Sequence, residues 1–138
     1  MEDYINTGVY LRLLWDELRY NMEDQLKEKG FNDVSPSHGW IFHNTKPEGS
    51  RITELATMAK ITKQSMSALV AQLEESGYVE KKADPTDKRA WLLVLTPKGK
   101  KVKQAGQDIN FKFEKNWEMK IGQENYNQLR QLLKQLCE

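Results

Sequence analysis

The fold turns on residues 52–99, ITELATMAKITKQSMSALVAQLEESGYVEKKADPTDKRAWLLVLTPKG. The run opens with two short helical patterns separated by very few residues. The first covers Thr53 to Ala59, with Thr53 as its cap and Leu55, Ala56 and Ile61 as the inner side of helix and turn. The second covers Thr62 to Glu75. Thr62 is its natural N-cap, and Met66, Leu69, Val70 and Leu73 fall at i, i+3, i+4 and i+7, one buried stripe. Ser76-Gly77 stops it. Tyr78 to Lys82 then reads as a strand and Asp84-Pro85-Thr86-Asp87 as a turn. Trp91 to Leu95 is the returning strand; being continuously apolar, it is expected to be covered on both faces. Thr96-Pro97 opens another helix, with Thr at the cap and Pro at the first position.

Working outward, the first 28 residues read as a long helix, with Ile5, Val9, Leu13, Leu14, Leu18, Met22 and Leu26 at helical spacing. Lys29-Gly30 ends it, since glycine accepts the left-handed C-terminal conformation. Tyr4, Tyr10, Leu11, Trp15 and Tyr20 fall outside that stripe, so the apolar face is wider than one neighbour requires. Ser35-Pro36 starts a shorter helix through about His43. Lys46-Pro47-Glu48-Gly49 is a turn, and Arg51-Ile52 a brief strand. Beyond Pro97 a helix runs to about Lys120, anchored by Val102, Ala105, Ile109, Phe113 and Trp117. Gly122 interrupts it, and a last helix covers Glu124 to Leu136 with Leu129, Leu132, Leu133 and Leu136 on one stripe. The expected fold is mainly α with a small β-hairpin wing (α+β).

At 138 residues the chain suits one domain or one compact dimer subunit. A net charge of +1 says nothing about partners, but its distribution does. Residues 60–103 carry ten Lys/Arg against five Asp/Glu, a net +5, and the remainder carries −4. Such asymmetry points to a basic surface for a polyanion. Cys137 is the one cysteine, so an intrachain disulfide is excluded, which suits a reducing cytoplasm. The opening MEDYINTG is not a signal peptide, and no stretch reaches the roughly 18 apolar residues of a membrane span. His38 and His43 lie five apart, off a shared helix face, and structural zinc spacing is absent. No nucleophile elbow, phosphate loop or Cys/His pairing supports catalysis. The expectation is therefore no enzyme, no cofactor and no metal.

Two short helices joined by a tight turn and followed by a hairpin are the parts of a winged helix-turn-helix. The second helix of such a pair can lie in the major groove of DNA and read base edges near its N-terminus. With the Met66 stripe buried, Gln64 and Ala68 point the opposite way, and Lys63, Ser65, Ser67 and Ala71 lie on the flanks. Gln64 can bond an adenine bidentately; Ser65 and Ser67 can reach bases or phosphates. Thr62 and Lys63 suit phosphates, near a helix N-terminus that favours anions. An ordinary exposed helix is usually richer in charge than KQSMSALVAQ. On the hairpin, Arg89 at a ribbon tip can enter the minor groove beside Lys88. Asp87 is expected to orient the Arg89 guanidinium by a bidentate pair.

The run Ile52 to Gly99 resembles the MarR family (multiple-antibiotic-resistance regulators). D-P-x-D-K-R followed by an apolar strand and L-T-x-K-G carries the resemblance, together with L-x-x-x-G-Y-V from Leu73 to Val79. Helix order agrees along nearly the whole chain. The resemblance implies an obligate homodimer in which the first and last two helices of each subunit interlock. It assigns residues 1–34 and 104–138 to that helical dimerisation region, and 35–103 to the winged helix-turn-helix. It places DNA contacts on Asp87, Lys88 and Arg89 of the wing and on the Thr62 to Ala68 region. It further implies a pseudopalindromic double-stranded operator, repression as the commoner role, and release by a small, often aromatic ligand between dimer helices and winged domain. Trp15, His38, Trp40 and Phe42 are candidate wall residues for it. Peroxide sensing through an N-terminal cysteine does not fit, because the chain has only Cys137. The competing class is a winged-helix module used for protein contacts alone; the Lys88-Arg89 pair and the +5 segment favour DNA.

Overall fold

A computed structural model describes residues 3–138. The elements run α1 (Thr7–Glu28), α2 (Pro36–Asn44), β1 (Ser50–Arg51), α3 (Ile52–Ala59), α4 (Lys63–Glu75), β2 (Val79–Asp84), β3 (Asp87–Leu95), α5 (Pro97–Ile121) and α6 (Gln123–Cys137). Their order and type are those expected. The first helix starts later than its apolar pattern does. Residues 1 and 2 lie outside the described ones, and the helix begins after Asn6, whose side chain accepts from the Val9 N–H at 3.2 Å. At its far end Gly30 takes φ +89° and the Phe31 N–H returns to the Leu26 carbonyl, closing α1 as glycine allows.

The chain divides into two compact units, Glu23–Gly106 and the remainder. In the Glu23–Gly106 unit, the Met66 stripe of α4 is buried at Met66, Val70 and Leu73, and α4 packs on α2, α3 and β2; Ile41 and Phe42 of α2, Leu55 and Ala56 of α3, and Val79 and Leu93 of the sheet are buried too. Leu69 is half-buried and Ile61 exposed, so the inner side of α3 stops at Ala56. The turn between α3 and α4 is tight because Lys60 adopts the left-handed conformation (φ +56°) and Ile61 N–H bonds back to the Ala56 carbonyl. Thr53 does not cap α3. The chain passes straight from β1 into the helix at Arg51, and Thr53 already lies in the first turn.

The sheet is three-stranded and antiparallel, in the order β1-β3-β2. Ser50 pairs with Leu93 and Arg51 with Leu92, so β1 joins the hairpin as a third strand. Both hairpin strands are longer than their apolar pattern suggests, which leaves only Pro85-Thr86 between them. The apolar run of β3 is not covered on both faces: Leu93 is fully buried, but Trp91 is 58% exposed. Trp91 shares the face of Leu93 by strand alternation, so its exposure comes from its place nearer the wing, past the end of the core.

The two halves of the L-x-x-x-G-Y-V and L-T-x-K-G pattern bind each other. Gly77 (φ +81°) turns the chain out of α4. The Thr96 N–H donates to the Tyr78 carbonyl at 3.0 Å, and the Thr96 hydroxyl donates to the Gly77 carbonyl at 2.6 Å. Lys98 Nζ donates to the Ser76 carbonyl at 2.7 Å and sits 4.3 Å from the Tyr78 ring centre. The Gly99 N–H donates to the Thr96 hydroxyl at 3.1 Å, capping α5. A Cβ on Gly99 would lie 2.1 Å from the Tyr78 carbonyl oxygen. Only glycine permits this approach of helix and strand. Tyr78 is fully buried; Phe42 meets its ring edge-on at 5.8 Å and its hydroxyl donates to Asp33.

The other unit holds α1 as far as Met22 and the chain from Gln107 onward. Ile109 and Tyr126 are buried. The Glu114 carboxylate accepts from the Tyr126 hydroxyl at 2.7 Å and from Arg130 at 3.0 Å, tying α6 to α5. Trp117 Nε1 donates to Glu17 at 2.9 Å, tying α5 to α1. Gly122, at φ +90°, makes the break between α5 and α6. Within this unit Val9, Leu13, Leu14, Trp15, Leu132, Leu133 and Leu136 are all exposed.

Candidate nucleic-acid interface

Thr62 takes an extended conformation and its hydroxyl accepts from the Ser65 N–H at 3.0 Å, which starts α4. The same hydroxyl donates to Ser65 Oγ at 2.9 Å. Thr62 and Ser65 are thus partly engaged with each other. Lys63, Gln64 and Ala68 are exposed and Ser67 is half-buried. The six expected residues share the outward N-terminal half of one helix, where first-turn N–H groups lack helical acceptors. Small side chains there allow close approach of a duplex.

The wing differs from the expected ribbon tip. Asp84 pairs with Asp87 across the turn, yet the next pair is Ala83 with Trp91. Lys88, Arg89 and Ala90 therefore bulge out opposite a single step of β2, and the cations sit on this bulge, not in the turn. Bulges re-aim side chains and end regular pairing. Asp87 does not grip the Arg89 guanidinium. Its carboxylate accepts from the Arg89 backbone N–H at 2.9 Å. A carboxylate two residues upstream reaches the backbone amide more readily than a long side chain. Lys88 and Arg89 are exposed and make no ion pair among the described residues.

Sequence reasoning missed the residues at the wing's root. Asp84 is a nearly buried carboxylate. One oxygen accepts from Arg51 Nε at 3.0 Å and Nη2 at 2.8 Å. The other accepts from the Thr86 N–H at 2.8 Å and its hydroxyl at 2.7 Å. The Thr86 hydroxyl and amide, helped by Arg51, hold the Asp84 carboxyl below its ordinary 3.8 against the effect of desolvation. Asp-Pro-Thr is a turn signal that points to the Thr86 contacts. No local pattern reveals Arg51, which is 33 residues away.

The four candidate ligand-wall residues fall in different places. Trp15 is an exposed residue of α1 in one unit; His38, Trp40 and Phe42 are on α2 in the other. Phe42 packs in the core and Trp40 is half-buried. His38 is buried and engaged at both ring nitrogens. Nδ1 accepts from the Ser35 N–H at 3.0 Å, so Nε2 carries the hydrogen and donates to Gln72 of α4 at 2.9 Å. His38 thereby caps α2 and ties it to α4. Among the described residues no cluster of three His, Cys, Asp or Glu side chains could hold a metal, and no helix is long and apolar enough to cross a membrane.

A short helix pair with a capped, small-residue second helix, and a three-stranded sheet with a cation-bearing bulge, define a winged helix-turn-helix protein. Residues 32–90 match the MarR family model. The matched stretch runs from just before α2 to the bulge of β3. It is 24% identical over 90 residues to the HTH-type transcriptional regulator BilQ of Clostridioides difficile (strain CD3). That match covers 65% of this chain and 61% of the relative's length. The crystal structure of MarR superposes with a TM-score of 0.81 at 18% identity, covering 99% of this chain and 92% of that one. CouR, a transcriptional repressor bound to a 23-mer DNA duplex, gives 0.78 at 20% identity, covering 96% and 93%. CouR from Rhodococcus jostii RHA1 bound to p-coumaroyl-CoA gives 0.75 at 20%, covering 95% and 91%. At these identities the superpositions establish the fold.

Proposed function

We propose that the chain is a sequence-specific, double-stranded DNA-binding transcriptional regulator that works as a homodimer and represses by occupying a promoter. The carrying observation is the pairing of an exposed, small and polar α4 N-terminus with a wing bulge whose Lys88 and Arg89 make no ion pair among the described residues. Thr62, Lys63, Gln64, Ser65, Ser67 and Ala68 would face the major groove. Gln64 would read a base edge, and the first-turn amides with Lys63 would hold phosphate. Arg89 and Lys88 would enter the flanking minor groove, with Asp87 shaping the bulge. The exposed apolar side chains of α1 and α6 support a second copy as their cover. A two-fold dimer would set two recognition helices about 34 Å apart, one per half-site of a pseudopalindrome.

Release by a small aromatic ligand completes the reading. CouR's structures with DNA and with p-coumaroyl-CoA give precedent for a relative engaging both. Such a ligand acts only through its differential affinity for the two wing spacings. Trp15 and Trp40 keep ring surface for it. His38 and Phe42 already have partners, so they would have to exchange them.

A salt titration of binding tests the function. Fluorescence anisotropy of the full chain with duplex DNA should give log K falling linearly with log salt, because each neutralised phosphate releases counterions. A flat dependence would exclude DNA binding and favour the protein-contact module.

A further inference from the structure

We propose that Arg51 and Asp84 form the positioning device of the wing, holding the Lys88-Arg89 bulge in place relative to the helix-turn-helix. This rests on the DNA-binding reading above. Asp84 is the last residue of β2, and its carboxylate receives four donors. Two come from Arg51 and two from Thr86, so one side chain joins the two-residue turn to the strand preceding α3. Arg51 is itself fixed: it pairs with Leu92 in the sheet and forms the N-cap position of α3.

The link continues to the cations. Asp84 is in register with Asp87, and Asp87 caps the Arg89 N–H. A path of hydrogen bonds and strand pairing thus runs from the first residue before α3 to the backbone of Arg89. Arg51 has a second effect. Asp84, Asp87 and Glu54 all act on its guanidinium. Without Arg51, that acidic set would stand uncompensated near the phosphates that the wing approaches. Exposed ion pairs usually contribute little to stability. Here the consequence is geometric, and affinity is where it should be read.

The test is a double-mutant cycle with the full chain. The probe is a duplex of about 30 base pairs, long enough for two half-sites a helical turn apart, recovered by the wild-type protein from a random-sequence pool. Asp84→Asn and Arg51→Met should each weaken anisotropy-measured binding by roughly tenfold, within the range expected for losing one arginine contact. In an Arg89→Ala background the cost of Asp84→Asn should fall below about twofold, since coupled residues are non-additive. Arg51→Lys should recover part of the loss. Circular dichroism melts establish that each variant is folded at the assay temperature; if Asp84→Asn is not, Arg51→Met carries the same cycle.

An undiminished cost of Asp84→Asn, or of Arg51→Met, without Arg89 would overturn the positioning role. So would a loss on adding Arg51→Met to Asp84→Asn as large as Arg51→Met causes alone, since Arg51 would then act independently of Asp84. If Arg89→Ala alone changes nothing, the wing reading fails and the inference with it. If Arg89→Ala weakens binding while Asp84→Asn does not, only the inference fails.

Discussion

Replacing Gly99 by alanine would put a methyl carbon 2.1 Å from the Tyr78 carbonyl oxygen, 3.1 Å from its carbon and 3.4 Å from Leu95 Cβ. A tolerable C···O approach is about 3.3 Å, so helix and strand must part by roughly 1 Å. The obstacle is backbone, which cannot swing aside as a flexible side chain could. Parting stretches the bonds from Thr96 to Tyr78 and Gly77 and from Lys98 to Ser76. Each contributes about 1 kcal/mol, and a buried carbonyl left unpaired costs about 1–3 kcal/mol more. The sum is about 4–6 kcal/mol, a large share of a typical folding free energy. At roughly 3 °C per kcal/mol for a chain of this size, Tm should fall by about 10 °C or more. Gly39 is the internal control. It lies on α2 with nothing within 4 Å of its would-be Cβ and no positive φ. Gly39→Ala should be stabilising by about 0.5–1 kcal/mol. Differential scanning calorimetry of the three proteins decides it. A Gly99→Ala protein melting within about 2 °C of wild type would refute the reasoning.

Other expectations concern charge and assembly. Arg89→Ala should weaken duplex binding by roughly fivefold to a hundredfold and lessen the salt slope by about one, with an unchanged melting curve; an unaltered slope would remove Arg89 from the interface. Asp84 and Asp33 both have carboxyls held below 3.8, Asp84 chiefly by Thr86 and Asp33 chiefly by the Tyr78 hydroxyl. Their stabilisation is therefore complete above the unfolded value and lost as pH falls through the lower folded one. Asp84→Asn and Asp33→Asn should each flatten the acid limb of a Tm-versus-pH curve below about pH 4, and unchanged curvature would contradict this. Glutamate at Leu133 and Leu136 should shift the chain to a monomer in analytical ultracentrifugation; a wild-type sedimentation profile would argue against α6 as a dimer surface.

Much of the element order was legible because punctuation residues sit where the physics needs them. Gly30, Gly77 and Gly122 all take positive φ, and Thr62 and Thr96 cap α4 and α5. The Met66 stripe gave the buried face of α4 directly. The wing was less legible. Asp87-Lys88-Arg89 has no apolar alternation, so neither the early start of β3 nor the bulge could be read. The Asp87 partner was misjudged because composition shows a carboxylate and a guanidinium but not the nearer backbone amide. Strand β1 has only two residues, too few for a period, and its Arg51 meets Asp84 through sheet pairing alone. Gly99 was visible only as a letter in a pattern; its reason appears once the Tyr78 carbonyl is seen beneath it.

Hydroxyl-radical footprinting of the full chain on DNA from its own genome is the most direct trial of the central claim. Two protected backbone patches should appear one helical turn apart, each flanked by protection across a minor groove that disappears with Arg89→Ala. A uniform cleavage ladder at protein concentrations up to the micromolar range, where specific complexes are saturated, would contradict it.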